Sequence, residues 1–267
     1  MTRKHKAIFV SEISDVEETR SEQYQRHLSN DAALRWLRAG WKDLWTQPLL
    51  SLAYGVAVFC VSWLFVVYMF TSGQDYLLFP ALAGFMIVGP LVAAGLYLKS
   101  QSLEKGDRTT LSSMLRVRPR AGAQIFFTGM LLTMLMLLWM RAAVIVYALF
   151  FGVRPFPGFD HVISMLFATP LGWSMLLVGT LVGALFAGFA FAISAFSVPM
   201  LLDNKIDAFT AMGVSMALVW NNLQPALIWG LSVLVLFLFS VATGLVGLIV
   251  VFPWLGHATW HAYREMR

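Results

Sequence analysis

Long apolar runs alternate with short polar intervals along most of this chain. The runs cover about Pro48–Phe70, Leu77–Leu98, Gln124–Arg141, Gly172–Val198, Pro225–Val241 and Leu245–Tyr263. Each approaches or exceeds the roughly 20 residues that carry an α-helix across a hydrocarbon core about 30 Å thick. The pattern predicts an all-α, polytopic membrane helical bundle of about six transmembrane helices. Pro48 suits the first turn of its helix, where an N–H would have no intrahelical partner, and Gly73 with Asp75 lies in the short turn back. Residues 225–262 are too long for one crossing, so a tight turn is expected at Ala242-Thr243-Gly244. The apolar segment from Ala142 to Phe151 is too short to cross alone. It either extends and tilts the third helix or lies along the outer interface before Pro155 and Pro157; extension is the favoured reading.

The basic residues orient these spans, because cytoplasmic flanks retain Lys and Arg. Of the 19, eight fall in residues 1–47, six in 99–120, one at Lys205 and two at Arg264 and Arg267. The opposite connections hold only Arg154, with Arg141 at the edge of the third span. Both termini are therefore expected in the cytoplasm. Residues 1–30 read as a flexible tail and 31–267 as one membrane-embedded domain. No early apolar core marks a cleavable secretory signal.

Composition narrows the function classes. Hydrophobic residues make up 59% and charged ones 12%, about half the charge of a soluble domain at roughly 25%. The net charge of +5 sits beside the spans, so its expected partner is an anionic lipid surface and not nucleic acid. Cys60 is the one cysteine; it excludes an intrachain disulfide and reads as a small buried hydrophobe.

Three cytoplasmic segments share a pattern. Asp31 can cap a helix with Leu34, Leu37, Trp41 and Leu44 at helical spacing, before Pro48. Asp207 can cap another with Phe209, Met212, Met216 and Val219, before Pro225; a shorter copy runs from Thr109 or Thr110 through Leu111, Met114 and Leu115. They read either as separate interfacial helices or as a threefold unit of interfacial helix plus two spans, whose second spans carry Pro90, Pro199 and Pro253.

The segments Trp36–Leu44, Gly89–Tyr97, Val198–Asp203, Asp207–Met212 and Gly256–Arg264, the last reading Gly-His-Ala-Thr-Trp-His-Ala-Tyr-Arg, resemble the bacterial integral-membrane family known as domain of unknown function 2189 (DUF2189). The likeness covers about residues 31–265. It implies a bacterial inner-membrane location and no established biochemical activity. Some relatives are labelled cytochrome c oxidase subunit I, which the ligand count opposes. A haem-copper core needs several embedded histidines, and of the five here only His257 and His261 fall on an expected span.

His257 and His261, four residues apart, share a helix face and could grip a metal or approach a haem. Without an evident third ligand they read as interfacial anchors or inter-helix hydrogen bonders. Arg141 lies about 25 Å along its helix from Gln124, counting 1.5 Å per residue. There it either snorkels to water or pairs with Asp160 or Asp75. Gly179, Gly183 and Gly188 give the fourth span a small-residue stripe for helix packing, within the chain or between two copies. No catalytic triad, phosphate loop, zinc motif or acid/base pair occurs, so no enzyme activity and no cofactor are expected.

The leading expectation is a non-catalytic accessory or assembly protein of a membrane complex, with a membrane-protein partner or a second copy of the chain. The alternative is a passive carrier or channel for a small or apolar solute, motivated by the proline-bearing spans and by Thr180, Ser194 and Ser197. The third is a haem- or metal-binding electron-transfer subunit.

Overall fold

The computed structural model describes residues 23–152 and 159–267. Among them the chain is helical, without strands. In chain order the helices are α1 Ala32–Trp45, α2 Pro48–Thr71, α3 Leu78–Val92, α4 Ala94–Glu104, α5 Leu111–Leu115, α6 Gln124–Phe151, α7 Phe159–Phe167, α8 Pro170–Ser194, α9 Ser197–Asp203, α10 Ala208–Asn221, α11 Leu223–Ala242 and α12 Leu248–Met266. Five segments are long and apolar enough to cross a membrane: α2, the α3–α4 segment from Asp75 to Glu104, α6, the α8–α9 segment from Pro170 to Asp203, and α11. Their outward faces carry Leu64, Phe126, Leu138, Leu177 and Leu185, all more than half exposed. An apolar surface of that extent needs lipid around it.

The expected sixth span, α12, does not meet that test, because His257, His261, Arg264 and Glu265 interrupt its second half. It nevertheless runs back along α11. Arg26 donates from its backbone N–H to Asn222 Oδ1 (2.8 Å) and from Nε to the Met266 carbonyl (3.0 Å), which brings the start of α11 beside the end of α12. The polar half of α12 is tolerated because its neighbours cover it. Trp36 and Gly40 on α1 are buried toward it, and a Cβ on Gly40 would lie 2.5 Å from the Ala258 backbone nitrogen. A Cβ on Gly55 of α2 would lie 2.1 Å from the Ile249 carbonyl oxygen. Glycine is required at both close approaches.

Other boundaries follow local chemistry. α6 continues without a break to Phe151, so residues 142–151 extend the third span; the break expected at Pro155 and Pro157, like Arg154, lies outside the described residues. The return after α11 uses Gly244 and Leu245, both at positive φ. The second and fourth spans break near their ends. At the first break, after Pro90, Tyr54 donates its hydroxyl to the Val92 carbonyl at 2.6 Å. At the second, the Ser215 hydroxyl of α10 accepts from the Phe196 N–H (3.1 Å) and donates to the Ala192 carbonyl (2.8 Å). Side chains from neighbouring helices thus pair backbone groups that lipid could not satisfy.

The element order repeats as interfacial helix, span, returning span: α1–α2–α3/α4, α5–α6–α8/α9 and α10–α11–α12. Each interfacial helix packs on the preceding unit's returning span, α5 on α4 and α10 on α8 and α9, while α1 closes the circle on α12. Of the three, α1 is amphipathic. α10 is apolar on both faces, burying Ala211, Met212 and Leu218 and exposing Phe209, Met216 and Trp220. Residues 1–22 of the expected tail lie outside the described residues. Residues 24–30, also assigned to it from sequence, lie against the bundle: Tyr24 and Leu28 pack on its core and Asn222 donates to the Tyr24 carbonyl at 2.8 Å. Cys60 is exposed on α2 and not buried as its apolar setting suggested; on a span, an apolar neighbourhood in sequence does not tell lipid from core.

Candidate functional site

Two features stand out: a buried polar network where α1, α2, α4 and α12 meet, and a pair of apolar cavities deeper in the bundle. The network begins at Lys99 on α4, a fully buried lysine. Its ammonium donates to the carbonyls of Asp43 (3.0 Å) and Gln47 (3.1 Å) and to Ser51 Oγ (2.7 Å). An ammonium has three protons and no lone pair, so these acceptors satisfy it. The Asp43 carbonyl lies in the last turn of α1, where a cation also complements the helix dipole, and the Gln47 carbonyl in the connection to α2.

The direction of the remaining bonds follows from that start. Ser51 accepts from Lys99 and keeps its own proton for His257 Nε2, 2.8 Å away. His257 therefore carries its proton on Nδ1 and donates to Ser100 Oγ, also at 2.8 Å. Ser100 hydrogen-bonds in turn to the Asp43 carboxylate, which accepts from His261 Nε2 at 2.8 Å. The tautomer is assigned from this donor order. Burial of Asp43 opposes its ionisation, but the hydrogen bonds from His261 and Ser100 outweigh it and hold the carboxyl below its ordinary value of 3.8.

A second polar group surrounds Asp203, the buried last residue of α9. It accepts from Gln101 Nε2 (3.0 Å), Tyr263 OH (3.2 Å) and Arg267 (2.6 Å). Arg264 bridges to Glu104 at 3.3 Å. Together the two groups tie α1, α4, α9 and α12 into one layer.

Beyond this layer lie two trios of helices. α12 sits between α2 and α11, while α3, α6 and α8 pack on one another. A cavity of about 640 Å³ separates the trios from mid-bundle to the polar layer, within the roughly 300–1,000 Å³ typical of small-molecule sites. A smaller one of about 190 Å³ continues toward the opposite end, between Met69, Leu78 and Met140. Phe85, Phe237 and Leu248 belong to the walls of both. The Phe85 ring stacks on Phe237 at 5.7 Å and meets Phe252 at 5.9 Å, forming an aromatic partition.

His257 and His261 occupy the network, but as inter-helix hydrogen bonders on separate partners. Both nitrogens of His257 are engaged by serines, so a metal there would have to displace one of them. Among the described residues no group of three or more His, Cys, Asp or Glu has a metal-holding arrangement. Arg141 is exposed on α6, away from the network, and no ion pair of its side chain occurs among the described residues; the Asp160 side chain lies outside them. Gly179 and Gly183 face α6, where added Cβ atoms would lie 3.9 Å from Val146 and 3.1 Å from Trp139. Gly188 does not: a Cβ there meets open space, and the residue lines the larger cavity.

Sequence reasoning missed Lys99, Ser51, Ser100 and Asp43. It looked for a carboxylate near the histidines within their own span, whereas Asp43 reaches them from α1, 218 positions away. The available signal was Lys99 itself, a lysine placed directly at the end of an apolar run.

Comparison with known proteins agrees with the architecture. Residues 78–203 match the family described as predicted integral membrane protein (DUF2189). No curated protein and no solved structure matches the chain. The DUF2189 region spans α3 to α9 and carries Lys99, Ser100, Asp203 and one wall of the larger cavity. Asp43, Ser51, His257 and His261 come from outside it, so the network joins that region to the helices on both sides.

Replacing Lys99 by methionine strands the Asp43 and Gln47 carbonyls and the Ser51–His257 pair. An unsatisfied buried group costs about 1–3 kcal/mol, so Lys99→Met is expected to lower the thermal-unfolding midpoint in mild detergent by several degrees. A midpoint equal to wild type would show that the network does not hold α1.

Proposed function

We propose that this integral membrane protein is a non-catalytic, passive carrier for an apolar solute that enters from the bilayer between the two helix trios. The observation that carries this reading is the series of two apolar cavities, about 640 and 190 Å³, divided by the Phe85–Phe237 ring pair. A packed bundle normally leaves few voids larger than a water molecule. The larger cavity is half open and its walls are almost wholly apolar, which suits a solute already dissolved in lipid. Side-chain rotation at Phe85 would join the two spaces without moving a helix.

The polar network supports the non-catalytic part of the proposal. Lys99 and His257 spend their hydrogen-bonding groups on one another's neighbours, leaving neither a proton donor nor an acceptor directed at a cavity. The accessory role favoured by the sequence rested on missing catalytic groups, three amphipathic segments and a glycine-lined span. The cavities provide a positive observation for the carrier instead.

The proposed setting is the bacterial inner membrane with both termini cytoplasmic. The shared face of α1 and the α12 end supports a common side, and the basic flanks support the cytoplasmic one. A reporter fused after Arg267 should be active only as a cytoplasmic domain; activity on the outer side would reverse the orientation.

In proteoliposomes, a diazirine-bearing alkane is expected to label residues 186–194 and 226–234 saturably, with unlabelled hexadecane competing. Gly188→Trp, which projects into open space, should reduce that labelling severalfold. Labelling that never saturates and falls equally on outward residues such as Leu138 would overturn the carrier reading.

A further inference from the structure

The larger cavity has an uncharged lining and a buried, unpaired hydroxyl that define its ligand further, on the premise that the carrier reading holds. Its α8 wall extends from Thr180 to Ala195. At ~1.5 Å per residue that wall is roughly 22 Å long, a length that an extended hydrocarbon chain can follow. None of its lining residues is charged, and an ionised group placed there would lack a counter-ion in an apolar setting.

Ser194 supplies the polar group. It lies at the end of α8 nearest the polar layer, lines the cavity and is only 2% exposed. A serine in a helix commonly returns its proton to the carbonyl four residues earlier. Ser174, Ser232 and Ser240 do so here, at 3.0, 2.8 and 3.0 Å. Ser194 makes no such bond: among the described residues its hydroxyl has no hydrogen-bond partner, and its oxygen is not among the sealed, unpaired atoms of the interior. Thr259 on the same wall returns its proton to the Leu255 carbonyl at 2.7 Å, as most helical hydroxyls here do. A buried hydroxyl left open toward an apolar void has a hydrogen bond to give or receive once the void is filled.

We infer that the larger cavity holds a single-chain molecule ending in one small uncharged hydrogen-bonding group, a hydroxyl or carbonyl, seated at Ser194. Its hydrocarbon body extends past Phe191 and Phe186 toward the aromatic partition. Ser194 selects among apolar solutes, while Phe85 and Phe237 divide the path.

The test uses the full-length protein in nanodiscs, labelled with a diazirine-bearing alkane and competed by hexadecane, 1-hexadecanol or palmitate at pH 8. Hexadecanol is expected to compete at about five- to tenfold lower concentration than hexadecane, the effect of one net hydrogen bond. Palmitate should gain no such advantage over hexadecane. Ser194→Ala should remove the alcohol's advantage while leaving hexadecane competition unchanged, which also reports an intact cavity, and Ser194→Thr should retain it. Equal competition by alcohol and alkane in wild type, or an advantage that survives Ser194→Ala, would overturn the head-group assignment and leave the carrier reading standing. Failure of both hexadecane and hexadecanol to compete would overturn the two together.

Discussion

The pairing of one buried ammonium with the end of an interfacial helix organises the rest of this bundle. Lys99 is surrounded by protein at the margin of a membrane, where an unpaired charge would cost several kcal/mol. Its three acceptors come from α1, the α1–α2 connection and α2. Ser51 then passes the bond order to His257 on α12, and Ser100 and Asp43 return it to α4 and α1. Four elements are fixed by a single chain of donors and acceptors. Because most polar groups collect in this layer, the helices beyond it meet mainly through apolar side chains, with Trp139 of α6 donating to the Pro80 carbonyl of α3 at 3.1 Å. There the two trios touch through phenylalanine rings and leave space on either side of them.

The same layer closes a circular arrangement. Two of the three interfacial helices pack on the unit just before them, whereas α1 packs on α12. Gly40 against Ala258 and the Trp41–Trp254 ring pair at 5.0 Å make that closure close-fitting, and Trp254 donates to the Leu37 carbonyl at 2.7 Å. The first and last helices of the domain are therefore neighbours. The polar half of α12 depends on this contact, since α1 takes the place that lipid would otherwise occupy.

Much of the architecture was legible because membrane helices announce themselves through length and apolarity. The turn at Ala242-Thr243-Gly244 and the proline-bearing second spans could be read directly from residue types. α12 was harder to classify, since a helix whose polar residues face protein looks like a weak span in composition although it runs back along α11. The polar network was less visible still. His257 and His261 could be singled out by their spacing, but their partners Ser51 and Asp43 lie more than 200 positions away and carry no local signature. Cavities are legible only when helices are placed together. Gly188 belongs to the same small-residue stripe as Gly179 and Gly183, yet it faces a void where they face α6.

Hydrogen exchange of α1 in lipid nanodiscs tests most directly whether the buried network holds the bundle as described. An interfacial helix resting on lipid frays and exchanges quickly, whereas one locked to α4 and α12 opens only with them. The account predicts slow exchange for the α1 amides from Trp36 to Trp45, comparable with the last turns of α12. Exchange of those amides within seconds, while α12 stays protected, would contradict it.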